Sequence, residues 1–282
     1  MDPFSIVLLL VAGVAAGAIN AAVGSGSLLT LPVLMATGLP PGVAVRTNTV
    51  GMVFSTIGSV IGFRREIAAE RHHLGPLSLF TLIGALAGSC LLLFSSSGAL
   101  DIVVPVLIVV ALIMVVGQPR LTRYLKQRQA AATEVAPVNT PGMTQTGETQ
   151  IGAPRTDTRS PYRRARLIAP MTGAAVYGGY FTAAQGVLYM GILAIGTGRK
   201  LGDINPVKNL LSLVVNATAA VVYLIAHFLW GAEIYWLGSL LVAIGSLIGG
   251  YFGSHIAKRL PDPVLRGVIV VVAVAALIRQ FV

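Results

Sequence analysis

The chain repeats itself at a fixed offset of 161 residues. Adding 161 to residues 83–88 (IGALAG) gives residues 244–249 (IGSLIG), and the same offset takes Asn48 to Asn209 and Gly17 to Gly178. Each copy is a block of long apolar segments. Duplicated apolar blocks are typical of secondary transporters, whose substrate site lies where the two repeats meet.

The composition indicates an integral membrane protein. Hydrophobic residues make up 55% of the chain, charged residues only 11%, and the mean hydropathy is +0.81. Several apolar stretches approach the ~20 residues that a helix needs to span a bilayer. A membrane barrel would instead show short strands of alternating polarity. The predicted fold class is therefore an all-α integral membrane protein.

Each half contains five apolar segments. They cover residues 4–23, 27–37, 43–63, 74–94 and 99–117 in the first half, and 167–184, 187–196, 204–229, 234–257 and 263–278 in the second. Between the halves, residues 133–160 are rich in Thr, Pro, Gly and Gln and offer little apolar surface to bury. We therefore predict a first membrane repeat at 1–118, a basic, largely disordered linker at 119–166 and a second repeat at 167–282.

The second segment of each half is too short to cross a membrane. Eleven helical residues rise only ~17 Å, against a hydrocarbon core of ~30 Å. The turns that precede these segments, residues 23–27 and 182–186, contain glycine, which lets the backbone reverse at membrane depth. Each half is therefore predicted to contain a broken-helix hairpin.

The basic residues predict the orientation in the membrane. Nine Lys or Arg residues and only three acidic residues lie between Pro119 and Arg166, and they supply most of the net charge of +10. A basic loop between membrane segments indicates a cytoplasmic linker and secondarily an anionic-lipid contact, rather than nucleic-acid binding. With the linker inside, both termini fall outside and the two repeats are inverted. If only one arm of each hairpin crossed, the repeats would be parallel and Lys258 would lie outside.

No enzyme, metal or cofactor constellation is predicted. The ten carboxylates fall in loops or at segment ends, and none pairs with His or Cys at metal-ligand spacing. Asp101 and Asp262 are best interpreted as helix N-caps. His227 and His255 lie near segment ends, where interfacial hydrogen bonding is the simplest role and proton coupling the alternative.

Cations at two segment starts predict an anion site. Asn205 and the following proline suggest a helix start that puts Lys208 in the first turn, where a cation opposes the helix dipole. Arg46 stands one position from the equivalent point of the first half. With Thr47, Asn48 and Asn209 beside them, the two cations could bind an anion. The alternative is that both cations extend to the membrane surface and only set topology.

The two Gly-containing turns add polar donors to this predicted site. The candidates are Ser25, Gly26 and Ser27 in the first half and Gln185 and Gly186 in the second. Broken-helix transporters hold anionic groups at such half-helix starts. Tyr180 and Tyr177 precede the second turn and could line the same cavity. Close helix packing by small residues is the alternative explanation of both turns.

The motifs around these residues resemble a known family. They read AAVGSGSLLTLPVL followed by PPGVAVRTNTV in the first half, and GGYFTAAQGVL followed by INPVKNLLSLVVN in the second. The chain is similar to the sulfite exporter (TauE/SafE) family of membrane transporters. The resemblance implies transport of sulfite or organosulfonates across the cytoplasmic membrane. The Gly-Ser-Gly-Ser turn, Arg46 and the long linker depart from the usual family pattern.

The leading hypothesis is a secondary transporter that exports a small sulfur-containing anion by alternating access. The alternative is a channel-like or uptake carrier for another small anion. An intramembrane enzyme is disfavoured by the lack of paired acids, bases or metal ligands, and a scaffold would not need two broken helices. The expected partners are the anion and membrane lipid, without nucleic acid, and a homo-oligomer is left open.

Overall fold

A computed structural model gives the fold and describes residues 3–70, 73–134, 162 and 165–256. These residues form ten α-helices and, within those ranges, no strand. The helices are α1 (Pro3–Ala22), α2 (Ser27–Ala36), α3 (Pro41–Gly62), α4 (Arg64–Glu70), α5 (Gly75–Phe94), α6 (Ser97–Glu134), α7 (Ala165–Tyr180), α8 (Gln185–Thr197), α9 (Leu201–Trp230) and α10 (Trp236–Ile256).

Five of these helices are long and apolar enough to cross a membrane. They are α1, α5, α9 and α10 over most of their lengths, and α6 over Ser97–Tyr124. Helices α2 and α8 are short and apolar, as the hairpin prediction requires. Large apolar side chains such as Ile102 and Ile113 are exposed on the surface, which fits a lipid-facing surface rather than a water-facing one. The all-α membrane fold is therefore confirmed.

The predicted segments that lie within the described residues correspond to helices, with some differences at their ends. Helix α6 continues to Glu134, because residues 120–134 are mostly good helix formers that follow Pro119. The short helix α4 was not predicted. Helix α7 ends at Tyr180, four residues before the predicted end. The predicted segment 263–278 and most of the linker lie outside the described residues.

The ends of several helices follow from local sequence. Pro41 begins α3, where its missing N–H costs no hydrogen bond. Gly198 and Gly231 end α8 and α9 with φ of +68° each, a left-handed conformation that glycine adopts without steric strain. The N–H of Ala232 then returns to the Ala226 carbonyl at 3.2 Å and satisfies the last turn of α9.

The fourth segment of each half packs against the other half. Helix α10 packs on α1 and α3, whereas α5 packs on α7 and α9. The 161-residue offset relates α1 to α7, α3 to α9 and α5 to α10. The contacts of α10 with α1 and α3 are therefore the repeat equivalents of the contacts of α5 with α7 and α9. Glycines make both contacts close, because a methyl group at Gly88 would overlap Val176 and one at the equivalent Gly249 would overlap Val14.

Helices α3 and α9 are repeat equivalents that contact each other in opposite directions. Near the start of α3, Arg46 donates from Nε to the carbonyl of Glu233, just beyond the end of α9, at 2.9 Å. The adjacent Thr47 hydroxyl accepts the N–H of Tyr235 at 3.0 Å. The start of α3 therefore lies beside the end of α9.

Candidate functional site

The two broken-helix turns touch each other in the buried interior. The N–H of Gly186, at the start of α8, donates to the carbonyl of Gly24 in the α1–α2 turn at 3.1 Å. Gly24 has φ of +84°, which favours glycine. A methyl group on either residue would overlap the other residue's backbone. These two glycines therefore allow the two turns to meet directly.

Lys208 is fully buried beside these turns and binds the end of α1. Its Nζ donates to the carbonyl of Asn20 at 3.1 Å and to that of Ala21 at 3.2 Å. Both carbonyls belong to the last turn of α1, where the helix dipole is negative and favours a cation. No carboxylate of the described residues pairs with this ammonium group. The site therefore holds a buried basic side chain whose hydrogen-bond partners are neutral carbonyls.

The position of Lys208 in its helix differs from the sequence prediction. Helix α9 begins at Leu201, so Asn205 is not its N-cap and Lys208 is its eighth residue rather than part of the first turn. Asp203 provides an acidic side chain in the true first turn, which favours a start there. The cation is compensated by the carbonyl end of α1 rather than by the start of its own helix.

Three side chains of α9 donate hydrogen bonds to the end of α1. Besides Lys208, the Nδ2 atoms of Asn209 and Asn205 donate to the Ala21 carbonyl at 3.1 and 3.4 Å. A carbonyl oxygen has two lone pairs, so three donors exceed what it accepts well. Asn209 also donates to the Asn205 carbonyl at 3.0 Å. The end of α1 thus gathers the donors of Lys208, Asn205 and Asn209 on few carbonyl oxygens.

Several buried polar atoms near the turns have no hydrogen-bond partner among the residues that the structure describes. They are Ser25 Oγ, Gln185 Oε1, Asn209 Oδ1 and Ser212 Oγ. Gln185 uses its other amide atom to donate to Asn216 Oδ1 at 3.3 Å. Buried polar groups are nearly always hydrogen-bonded, so such a group of atoms indicates a place for a ligand or water.

The equivalent asparagines of the two halves reach equivalent positions across the interface. Asn209 donates to the carbonyl of Ala21, and Asn48 donates from Nδ2 to the hydroxyl of Thr182, the equivalent of Ala21, at 3.5 Å. The side-chain oxygen of Asn48, Oδ1, accepts a hydrogen bond from the Thr30 hydroxyl at 2.5 Å. Both asparagines therefore anchor a helix of one repeat to the turn of the other.

Arg46 and Thr47 are not brought together with Lys208. Their contacts with Glu233 and Tyr235 lie past the end of α9, whereas Lys208 lies near its start. Thirty residues of α9 make this helix ~45 Å long. Thr47 is the repeat equivalent of Lys208. Its hydroxyl binds the connection between α9 and α10, whereas Lys208 binds the end of α1.

The remaining predicted site residues differ in what their side chains contact. A methyl group at Gly26 would overlap the carbonyl of Ala16, so this glycine serves close packing. Ser27 is buried as the first residue of α2. The hydroxyl of Tyr180 lies 3.2 Å from Ser95 Oγ at the end of α5. Ser25 and Gln185 are the two turn residues whose unpartnered atoms remain available.

Sequence reasoning missed three polar residues of the centre. Asn20 contributes its carbonyl to Lys208 and donates from Nδ2 to Ser55 Oγ at 3.2 Å. Ser212 and Asn216 follow Lys208 on one face of α9, since they lie four and eight residues further along the helix. The sequence did contain a signal, since polar residues recur at every fourth position (208, 212 and 216) within an apolar segment.

Long apolar helices around a buried lysine and two broken-helix turns define a membrane transporter. The chain belongs to the sulfite exporter TauE/SafE family, whose model matches residues 9–279. This assignment implies transport rather than enzymatic catalysis, and a multi-pass location in a membrane.

Curated relatives match almost the whole chain at low identity. The probable membrane transporter protein YfcA of Escherichia coli strain K12 is 24% identical over 97% of this chain and 88% of its own length. The probable membrane transporter protein ORF9 of Sinorhizobium is 22% identical over 96% and 90%. A probable membrane transporter protein of Haemophilus influenzae is 22% identical over 94% and 90%. No solved structure matches the chain significantly.

Proposed function

We propose that this protein exports a small sulfur-containing anion, sulfite or an organosulfonate, by alternating access. The observation that carries the proposal is the fully buried side chain of Lys208, which contacts the end of α1 beside the first turn and is an ammonium group when protonated. A lone buried charge is unfavourable unless another charge compensates it. An anionic substrate supplies that charge during transport, and the family description names sulfite.

The chemistry of the centre supports an oxyanion as the substrate. An oxyanion accepts hydrogen bonds on several oxygens and donates few or none. The buried hydroxyls of Ser25 and Ser212 have no partner in the described part of the chain, and Lys208 has one N–H beyond its two carbonyl contacts. Charge-assisted donors of this kind are the strongest available for an anion.

The packing supports a carrier rather than an open channel. Ser25, Gln185 and Lys208 are all at most 3% exposed, so the centre is closed on every side. A carrier exposes such a site to one side of the membrane at a time. Export rather than uptake rests on the family description alone.

We further propose that the two repeats are inverted in a cytoplasmic membrane, with the linker inside and both termini outside. The side-by-side, opposite arrangement of the equivalent helices α3 and α9 supports inversion. The basic loops support the orientation by the positive-inside rule. Anionic lipid on the inner face is the expected partner of the basic linker.

Flux through purified protein in liposomes tests the proposal. Vesicles loaded with unlabelled sulfite, methanesulfonate or acetate should accumulate external radiolabelled sulfite by exchange when the internal anion is a substrate. We expect saturable exchange with sulfite or the sulfonate and little with acetate. Protein-free vesicles are the control. Equal exchange with acetate, or flux that rises linearly with concentration, would refute a sulfur-anion carrier.

A further inference from the structure

The hydrogen bonds of Lys208 use two of the hydrogens that its side chain can donate. Nζ contacts the carbonyls of Asn20 and Ala21 at 3.1 and 3.2 Å. A neutral amine has two N–H groups and one lone pair, whereas an ammonium group has three N–H groups. The two carbonyls therefore satisfy every N–H of the neutral amine. They leave one N–H of the ammonium group without a partner in the described part of the chain.

No charged side chain among the described residues compensates an ammonium group at this position. Lys208 is fully buried, forms no ion pair with them, and has no charged neighbour among them that acts on it. Its two acceptors are neutral, and the negative end of the α1 dipole offsets only a partial charge. Burying an ammonium group without a counter-charge is unfavourable. A full positive charge at Nζ therefore needs a partner that this part of the chain does not supply.

The other titratable groups on the surrounding helices do not contact Lys208. Helices α1 and α2, which meet at the turn beside it, have no titratable side chain between Pro3 and Ala22 or between Ser27 and Ala36. Helices α3, α4, α5, α7 and α8 contact α9. The titratable side chains of these five helices and of α9 itself, besides Lys208, are Arg46, Arg64, Arg65, Glu66, Glu70, Cys90, Arg166, Tyr177, Tyr180, Tyr189, Asp203, Tyr223 and His227. None of them is a hydrogen-bond or ion-pair partner of Lys208.

The two histidines that the sequence offered as alternative proton carriers lie at helix ends. His227 is ~28 Å from Lys208 along α9, and its Nδ1 lies 2.8 Å from the Ala232 carbonyl. His255 is exposed in the last turn of α10, and its Nδ1 lies 2.9 Å from the Tyr251 carbonyl. Of these three side chains, Lys208 is the one that binds the end of α1 beside the first turn.

We infer that Lys208 couples anion transport to a proton: its amine is neutral in the empty centre and takes up one proton with each anion that binds. The inference rests on the proposed function and names the co-transported ion. The proton adds to the lone pair of the amine, and the third N–H of the resulting ammonium group donates to the anion without any covalent bond. Both ions leave together on the other side of the membrane. The empty carrier then returns without a buried charge, and an outward anion gradient drives export.

Calorimetric titration of methanesulfonate into the protein in lipid nanodiscs tests the coupling. A sulfonate stays a monoanion across the neutral pH range, so any proton taken up is bound by the protein. Titrations in two buffers of different ionisation enthalpy give the number of protons bound per anion. We expect about one proton at alkaline pH, where the Kd should rise about tenfold per pH unit. At acid pH both effects should disappear, because the empty centre is already protonated. If sulfite alone binds, it is the titrant, and its own protonation is subtracted.

Lys208→Arg separates the proton from the charge, because a guanidinium group stays charged at every pH of the experiment. We expect this variant to bind the anion without proton uptake and with a Kd that does not change with pH. In liposomes it should retain anion exchange, which never requires the empty carrier to return. Its net efflux should fall roughly tenfold or more, since the empty carrier would return with a buried charge. His227→Asn and His255→Asn are the matched controls and should keep the proton uptake of wild type.

The outcomes distinguish the coupling from the proposed function. A wild-type protein that binds the anion at the same Kd across this pH range, without proton uptake, would overturn the coupling and leave the function standing. Proton uptake that persists in Lys208→Arg, or that disappears in a histidine variant, would overturn the assignment to Lys208. Lys208→Gln, which cannot bind a proton at this position, provides the same test if the arginine variant does not fold. A wild-type protein that neither binds nor exchanges sulfite or methanesulfonate would overturn the proposed function as well.

Discussion

Replacing Lys208 by Gln tests what the charge of this side chain contributes to the centre. The lysine Nζ contacts the carbonyls of Asn20 and Ala21 at 3.1 and 3.2 Å. The Gln side chain is one bond shorter, about 1.5 Å, so its amide cannot hold both contacts. The substitution therefore removes the buried positive charge and weakens the attachment of α1 to α9. The apolar packing around the side chain stays nearly unchanged.

The expected loss of affinity follows from the kind of contact removed. A hydrogen bond that involves a charged group contributes about 1.5–3 kcal/mol, which corresponds to a roughly ten- to hundredfold increase in Kd. The Ser25 and Ser212 hydroxyls remain, so residual binding is expected. Arginine at this position should retain part of the affinity with altered selectivity, because a planar guanidinium group does not replace a compact ammonium group.

The assay is calorimetric titration of sulfite into protein held in lipid nanodiscs. Lys200→Gln is the matched control, since Lys200 is an exposed lysine that immediately precedes the same helix, and its Kd should equal that of wild type. Size-exclusion profiles and melting temperatures establish that each variant is folded. An unchanged Kd in folded Lys208→Gln would refute the reasoning and leave Lys208 as a clamp on the end of α1.

Three further predictions test the fold. Gly24→Ala should lower the melting temperature by more than Gly38→Ala, because both positions have positive φ but only Gly24 faces another backbone; equal losses would contradict the close contact of the turns. Glu70→Gln should cost about 1 kcal/mol or less, since its pair with Arg199 is partly exposed, and high salt should remove the difference from wild type in melting scans. A cysteine at Thr140 in a cysteine-free background should react with an impermeant thiol reagent only from the cytoplasmic side, and labelling from outside would contradict the topology.

The sequence predicted the helices well because hydrophobic length dominates in a membrane. A span must be long and apolar, and its backbone must bond internally, so segment limits follow from composition alone. The duplication also helped to predict the two short helices, because Ser27–Ala36 and Gln185–Thr197 occupy equivalent positions in the two repeats. The extension of α6 to Glu134 was missed because polar residues with good helix propensity were interpreted as linker.

The centre was predicted less completely than the helices. The sequence singled out Lys208 as a basic residue within a membrane segment, but its partners are main-chain carbonyls of Asn20 and Ala21, which no side-chain pattern reveals. The start of α9 was placed too late because Asn205-Pro206 resembles a helix start, whereas the acidic Asp203 marks the true first turn. Arg46 was grouped with Lys208 by near equivalence in the repeat, yet the opposite directions of α3 and α9 separate the two cations.

Anomalous diffraction with selenite tests the central claim most directly. Selenite has the charge and shape of sulfite, and its selenium atom scatters anomalously at an accessible wavelength. Crystals of the protein grown with selenite should show one dominant anomalous peak whose oxygens lie about 3 Å from Lys208 Nζ, in contact with the Ser25 hydroxyl. The peak should disappear in Lys208→Gln crystals. A dominant peak elsewhere in the membrane region, or one that persists in the variant, would contradict the assignment of Lys208 as the anion-binding charge.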